Sequence, residues 1–133
     1  MPANKNAELI AERRLSKRDL LLACTLAPAG EELLFRGLLL ALPLFLAGQN
    51  HWAALGLLAV SSLAFAAIHL WNYRPGERQL WRVWPQLLLG LVLGGLYLRF
   101  GLLVPIIAHT LYNSAVLALS HGLLRSERAA SAA

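Results

Sequence analysis

The run Trp52–Trp71, WAALGLLAVSSLAFAAIHLW, carries no formal charge while its histidine is neutral. A helix of that length rises about 1.5 Å per residue and reaches about 30 Å, the hydrocarbon thickness of a bilayer. That reading decides the fold class, because a segment surrounded by lipid must satisfy its own backbone hydrogen bonds. Working outward, three more apolar runs have the same character. One runs from Pro28 to Ala47, or from Leu20 if the helix continues through a kink, and the others cover Val83–Leu98 and Leu102–His121. The shortest, Val83–Leu98, is flanked by Arg82 and Arg99, whose charged heads can snorkel to the interface. Composition agrees: 58% hydrophobic against 14% charged residues excludes an ordinary soluble domain. The expected fold is all-α, a multi-pass transmembrane helical bundle of about four spans.

The remaining segments are connectors. Residues 1–19 are polar and basic, and residues 7–22 read as an amphipathic helix on the membrane surface. Residues 20–122 form the intramembrane core and residues 123–133 a small polar tail. Ala27-Pro28-Ala29 has the small residues of a signal-peptide cleavage site. The apolar run before it is short, so Pro28 reads better as a helix breaker or first-turn residue.

The net charge of +5 does not indicate nucleic acid, because the basic residues sit in short clusters between apolar spans. Five precede the first span, Arg74, Arg78 and Arg82 lie in the second connector, Arg99 stands alone, and Arg125 and Arg128 close the chain. That alternation predicts both termini in the cytoplasm. The alanine- and leucine-rich composition suggests a bacterial inner membrane, with the lipid bilayer itself as a partner. Cys24 is the only cysteine, so no intrachain disulfide exists. Gly90 and Gly94 form a GxxxG spacing that admits a close helix neighbour, including a second copy of the chain.

Against this background Glu31-Glu32-Leu33-Leu34-Phe35-Arg36 stands out. A charged side chain near the centre of a membrane helix costs about 2.5–3.5 kcal/mol on insertion scales, so such residues face the bundle interior and often mark function. Glu32 and Arg36, at i and i+4, share a helix face and can pair, whereas Glu31 points about 100° away. Later spans carry His69, preceded one turn earlier by Phe65, and then His109 and Asn113 at i and i+4. A carboxylate beside a histidine can hold and deprotonate a water, and further donors can stabilise the oxyanion formed at a carbonyl. The same Glu-His-His set, Glu31, His69 and His109, could instead hold a zinc ion as Lewis acid, and residue types alone do not separate the two.

These residues resemble the CAAX protease and bacteriocin-processing (CPBP, or Abi) family of intramembrane endopeptidases, which includes the type II CAAX prenyl endopeptidases. The family pattern of Glu-Glu-x-x-x-Arg, Phe-x-x-x-His and His-x-x-x-Asn is met in order by Glu31 to Arg36, Phe65 to His69 and His109 to Asn113. The resemblance implies Glu31 as catalytic base, His69 as its partner on the water, and His109 and Asn113 as the oxyanion site. Glu32, Arg36 and Phe65 would support them. It further implies a peptide or membrane-protein substrate cut near the cytoplasmic face, by a glutamate-dependent or a metal-dependent route. Asn113 makes a better oxyanion donor than a zinc ligand, which favours the route without cofactor. The family usually carries more transmembrane helices than the four read here. Two alternatives use the same polar cluster: a non-catalytic scaffold or bacteriocin-immunity protein of this fold, and a proton or ion pathway.

Overall fold

The computed structural model describes the backbone of residues 17–48 and 50–131, and side chains from residue 18 to residue 120 except residue 49. The amphipathic helix expected over residues 7–22 lies almost wholly outside the described residues. Every described residue in an ordered element is helical.

The first helix, α1, occupies residues 17–46 and alternates between two windings. Turns of α-helix at Lys17–Leu21, Ala27–Glu32 and Leu42–Leu46 are separated by π-helical stretches at Leu22–Leu26 and Leu33–Ala41. The wide turns are explicit in the hydrogen bonds. The amide of Ala27 donates to the carbonyl of Leu22, and that of Leu42 to the carbonyl of Gly37. Each π stretch ends two residues before a proline, Pro28 or Pro43. A proline inside an α-helix lacks the N–H for the i−4 carbonyl and collides with it, and a wider preceding turn relieves both problems. The helix therefore continues through Pro28 from Lys17, with Ala27 at φ −65° and ψ −52°.

The alternation also fixes what α1 buries. Pro28, Glu32, Arg36, Leu40 and Leu44 are all buried, a strict four-residue row. In a pure α-helix such a row drifts by about 40° per step, since four residues turn about 400°. Intervening π turns wind less per residue and cancel the drift, so the row stays on one face.

Three helices follow, each long and apolar enough by itself to cross a membrane: residues His51–Asn72, Leu80–Phe100 and Leu103–Ser120. α2 is His51–Ile68, capped by Asn50, whose side chain accepts from the amides of Trp52 and Ala53. At His69 it tightens into a 3₁₀ turn, His69–Asn72. α3 is Trp84–Phe100, preceded by a 3₁₀ turn at Leu80–Val83. Gly101, at φ +79°, reverses the chain into α4, Leu103–Ser131. α4 runs on past His121, where the sequence reading ended the fourth span. α1 is the remaining expected span: it has the length, and its exception to the apolar rule is Glu31, Glu32 and Arg36.

Neighbouring helices run antiparallel, and α4 returns alongside α1, where its His109 meets Glu32 and its Asn113 meets Ala23. The arrangement is an all-α, multi-pass bundle. Its closest approach is between α2 and α3. A Cβ placed on Gly90 would lie 3.2 Å from the Ser62 backbone, and one on Gly94 would strike the Leu58 side chain. The helix that the Gly90/Gly94 spacing admits is thus the chain's own α2, and a second copy using that face would have to displace it. Buried serines tie the same region together: Ser61 Oγ donates to the Phe35 carbonyl at 2.8 Å and Ser62 Oγ to the Leu58 carbonyl at 2.7 Å. Outward-facing leucines and aromatics such as Phe45, Leu63, Trp71, Leu111 and Leu119 are exposed, as a lipid-facing surface requires.

Candidate active site

Three helices, α1, α2 and α4, deliver polar side chains to one cluster, and α3 adds a backbone carbonyl. Arg36, with no solvent exposure, is held twice: Nη1 donates to Glu32 Oε1 at 3.0 Å and Nη2 to the Gly90 carbonyl at 2.8 Å. Its guanidinium lies 4.9 Å from the centroid of the Phe65 ring. The Glu32–Arg36 pair expected from spacing is therefore present, and α3 contributes a backbone oxygen that no sequence signal marked.

Glu32 also does something the sequence reading did not foresee. Its Oε1 lies 2.9 Å from His109 Nδ1, across 77 residues of chain. A carboxylate only accepts, so the proton sits on Nδ1, and the neutral ring presents an unshared pair at Nε2. Facing that nitrogen at 3.8 Å is Glu31 Oε2. Glu31 is one-third exposed while His109 is 2% exposed, so Glu31 forms the open side of the cluster and His109 the closed side. Glu31 Oε2 is itself shielded and has no hydrogen-bond partner within the protein. The gap is too long for a direct hydrogen bond. It suits one bridging water with contacts of about 2.8 Å to both atoms.

Phe65 is the hub around which the rings gather. Its centroid lies 5.3 Å from Phe35, 4.6 Å from His69 and 5.6 Å from His109, the first and last in edge-on arrangement. His69 stands where α2 tightens, and its Nδ1 donates to the Phe65 carbonyl at 2.7 Å, which leaves Nε2 as its free nitrogen. The imidazole within ion-pair reach of Glu31 is His109; His69 joins the cluster through the Phe65 ring. Asn113, one turn along α4 from His109, donates from Nδ2 to the carbonyl of Ala23 at 3.3 Å.

A family model for Rce1-like type II CAAX prenyl endopeptidases matches residues 15–115. The chain belongs to that family. No curated protein and no solved structure matches it. The Rce1-like match covers α1 through the first half of α4, and so includes every residue of the cluster. Membership makes the chain a CAAX-type intramembrane protease of the multi-pass membrane class.

As an Rce1-like chain it can be asked whether its residues would hold a zinc ion. A catalytic zinc takes three protein ligands and leaves a position for water. Among the described residues no three His, Cys, Asp or Glu side chains converge within reach of one ion. The donor set as placed does not fit a zinc centre. Three features of the site were out of reach of sequence reasoning: the Arg36–Gly90, Glu32–His109 and Asn113–Ala23 bonds. Each joins α1 to a helix far along the chain, and only helix order in three dimensions brings the partners together.

Proposed function

We propose that the chain is an intramembrane endopeptidase in which Glu31 activates a water for direct attack on a peptide carbonyl. The observation that carries this reading is the pair of facing atoms at the open edge of a buried cluster: Glu31 Oε2, which has no hydrogen-bond partner within the protein, and His109 Nε2, 3.8 Å from it. A water between them would donate one hydrogen to each. As its oxygen attacks the carbonyl carbon, Glu31 takes the proton, and the C–O bond forms while the carbonyl π pair moves onto oxygen. Collapse of the tetrahedral intermediate breaks the C–N bond, and the departing amine takes up the proton held by Glu31, directly or relayed through His109 Nε2. General acid–base help of this kind contributes about 10²–10⁴-fold.

Glu32 holds His109 in the Nδ1–H form and stabilises its cation when Nε2 gains a proton, while Arg36 fixes the Glu32 carboxylate in place. In this refinement His109 takes the place on the water that the family resemblance suggested for His69. Asn113 keeps the role of oxyanion donor, where loss of one donor costs about 10²–10³ in rate.

We place the site toward the cytoplasmic face. The 3₁₀ turn that carries His69 opens into the connector bearing Arg74, Arg78 and Arg82, the end of the bundle that the positive-inside rule assigns to the cytoplasm. Aromatic rings anchor that connector, with Arg78 4.1 Å over Trp71 and Arg82 5.6 Å and 5.5 Å from Tyr73 and Trp81. The substrate class supported is a membrane-tethered peptide, and the setting a bacterial inner membrane.

The test is cleavage of a membrane-tethered fluorogenic peptide by proteoliposomes. Glu31→Gln should lower kcat at least about 10²-fold with helical content and thermal stability unchanged. Wild-type turnover in that variant would sink the mechanism.

A further inference from the structure

The Asn113–Ala23 hydrogen bond has a cause in the backbone of α1. Within the π stretch Leu22–Leu26 the amide of Ala27, which in an α-helix would serve the Ala23 carbonyl, donates instead to Leu22. In the π pattern the donor for Ala23 would be residue 28, and residue 28 is proline, which has no N–H. The carbonyl of Ala23 is thereby deprived of both helical donors. In a bilayer such an orphan is costly, and another group must supply it. The group is Asn113 Nδ2, at 3.3 Å from α4.

That acceptor decides how the Asn113 side chain is set. A carbonyl accepts only, so it selects the amide orientation with nitrogen toward α1. Nδ2 carries two hydrogens. One is spent on Ala23, and the other remains for a second acceptor, with its direction fixed by the planarity of the amide. We infer that Pro28 and the Ala23 carbonyl are positioning groups for Asn113: the donor missing at Pro28 creates the acceptor that aims the second Asn113 N–H at the substrate's oxyanion. This rests on the proposed role of Asn113 as oxyanion donor. Neither Pro28 nor Ala23 touches the reacting atoms.

The experiment is steady-state cleavage of the tethered peptide by Pro28→Ala, Asn113→Ala and the double variant in the full chain, with thermal unfolding measured alongside. Alanine at 28 restores an N–H and lets Ala23 regain a backbone donor, so the Asn113 amide loses its anchor. Pro28→Ala should lower kcat about tenfold, leave KM within about twofold and leave the melting temperature unchanged or raised, a slower but no less stable enzyme. Asn113→Ala should lower kcat about 10²-fold, and adding Pro28→Ala to it should change nothing further.

If Asn113→Ala cleaves at the wild-type rate, the oxyanion reading itself fails. If Asn113→Ala is slow while Pro28→Ala keeps the wild-type kcat, or multiplies the Asn113→Ala defect, the positioning inference is overturned and the oxyanion reading survives. Should Pro28→Ala fail to fold, the wild-type chain still decides. With side-chain ¹⁵N labelling, the two Asn113 amide protons should exchange with water at clearly different rates, and equal fast exchange would contradict the anchor.

Discussion

Replacing Arg36 by methionine tests whether the buried cluster is held as described. Methionine keeps the length of the side chain and removes both of its charged hydrogen bonds, to Glu32 at 3.0 Å and to the Gly90 carbonyl at 2.8 Å. Hydrogen bonds to charged groups contribute about 1.5–3 kcal/mol each. Breaking a buried ion pair from one side costs about 3–5 kcal/mol, because the partner charge stays behind. The two figures describe overlapping losses, so the expected destabilisation is about 3–5 kcal/mol. Glu32 has no exposure and its Oε2 already lacks a partner, so among the described residues only the neutral His109 Nδ1–H remains bonded to it when the guanidinium is lost. Reversible unfolding in mixed detergent micelles measures the change. Glu32→Gln/Arg36→Met should recover more than half of the loss, since it removes the stranded charge and still offers His109 Nδ1 an acceptor. A loss below about 1 kcal/mol in Arg36→Met, or a double variant as unstable as the two single changes added, would refute the reasoning.

Three further expectations follow from particular contacts. Glu32→Gln keeps an acceptor for His109 Nδ1 but removes the charge that stabilises its cation, so kcat should fall about 10²-fold with KM little changed, read by the tethered-peptide assay. Gly90→Val forces α2 and α3 apart at Ser62 and disturbs the carbonyl that accepts from Arg36, and unfolding in micelles should show a loss of about 1–3 kcal/mol. Gly95→Ala, where an added Cβ meets nothing within 4 Å, should be neutral or stabilising by up to about 1 kcal/mol in the same measurement.

What sequence could reveal depended on range. The bundle was legible because apolar length is a local property, and Trp52–Trp71 and Val83–Leu98 fall within the observed helices and their 3₁₀ extensions. The Glu32–Arg36 pair was legible because i and i+4 spacing fixes it within one helix. The π stretches were not foreseen, although the prolines behind them were visible. Pro28 was read either as a place to break or begin a helix or as a kink within one that starts at Leu20; the helix does run through it, by widening the preceding turn, which no residue pattern had signalled. His109 was marked as a site residue, but its partner was out of reach: which carboxylate meets which imidazole depends on how α4 lies against α1. Gly90 and Gly94 announced a close approach without naming the neighbour, which proved to be the adjacent helix of the same chain.

The most direct test of the account is peptide cleavage by the purified wild-type chain in the presence and absence of a strong chelator. The account predicts a rate that the chelator leaves unchanged, because Glu31 and His109 activate the water between them. Loss of cleavage on chelation, restored by added zinc, would contradict it and make Glu31, His69 and His109 metal ligands, in place of an acid–base pair formed by Glu31 and His109.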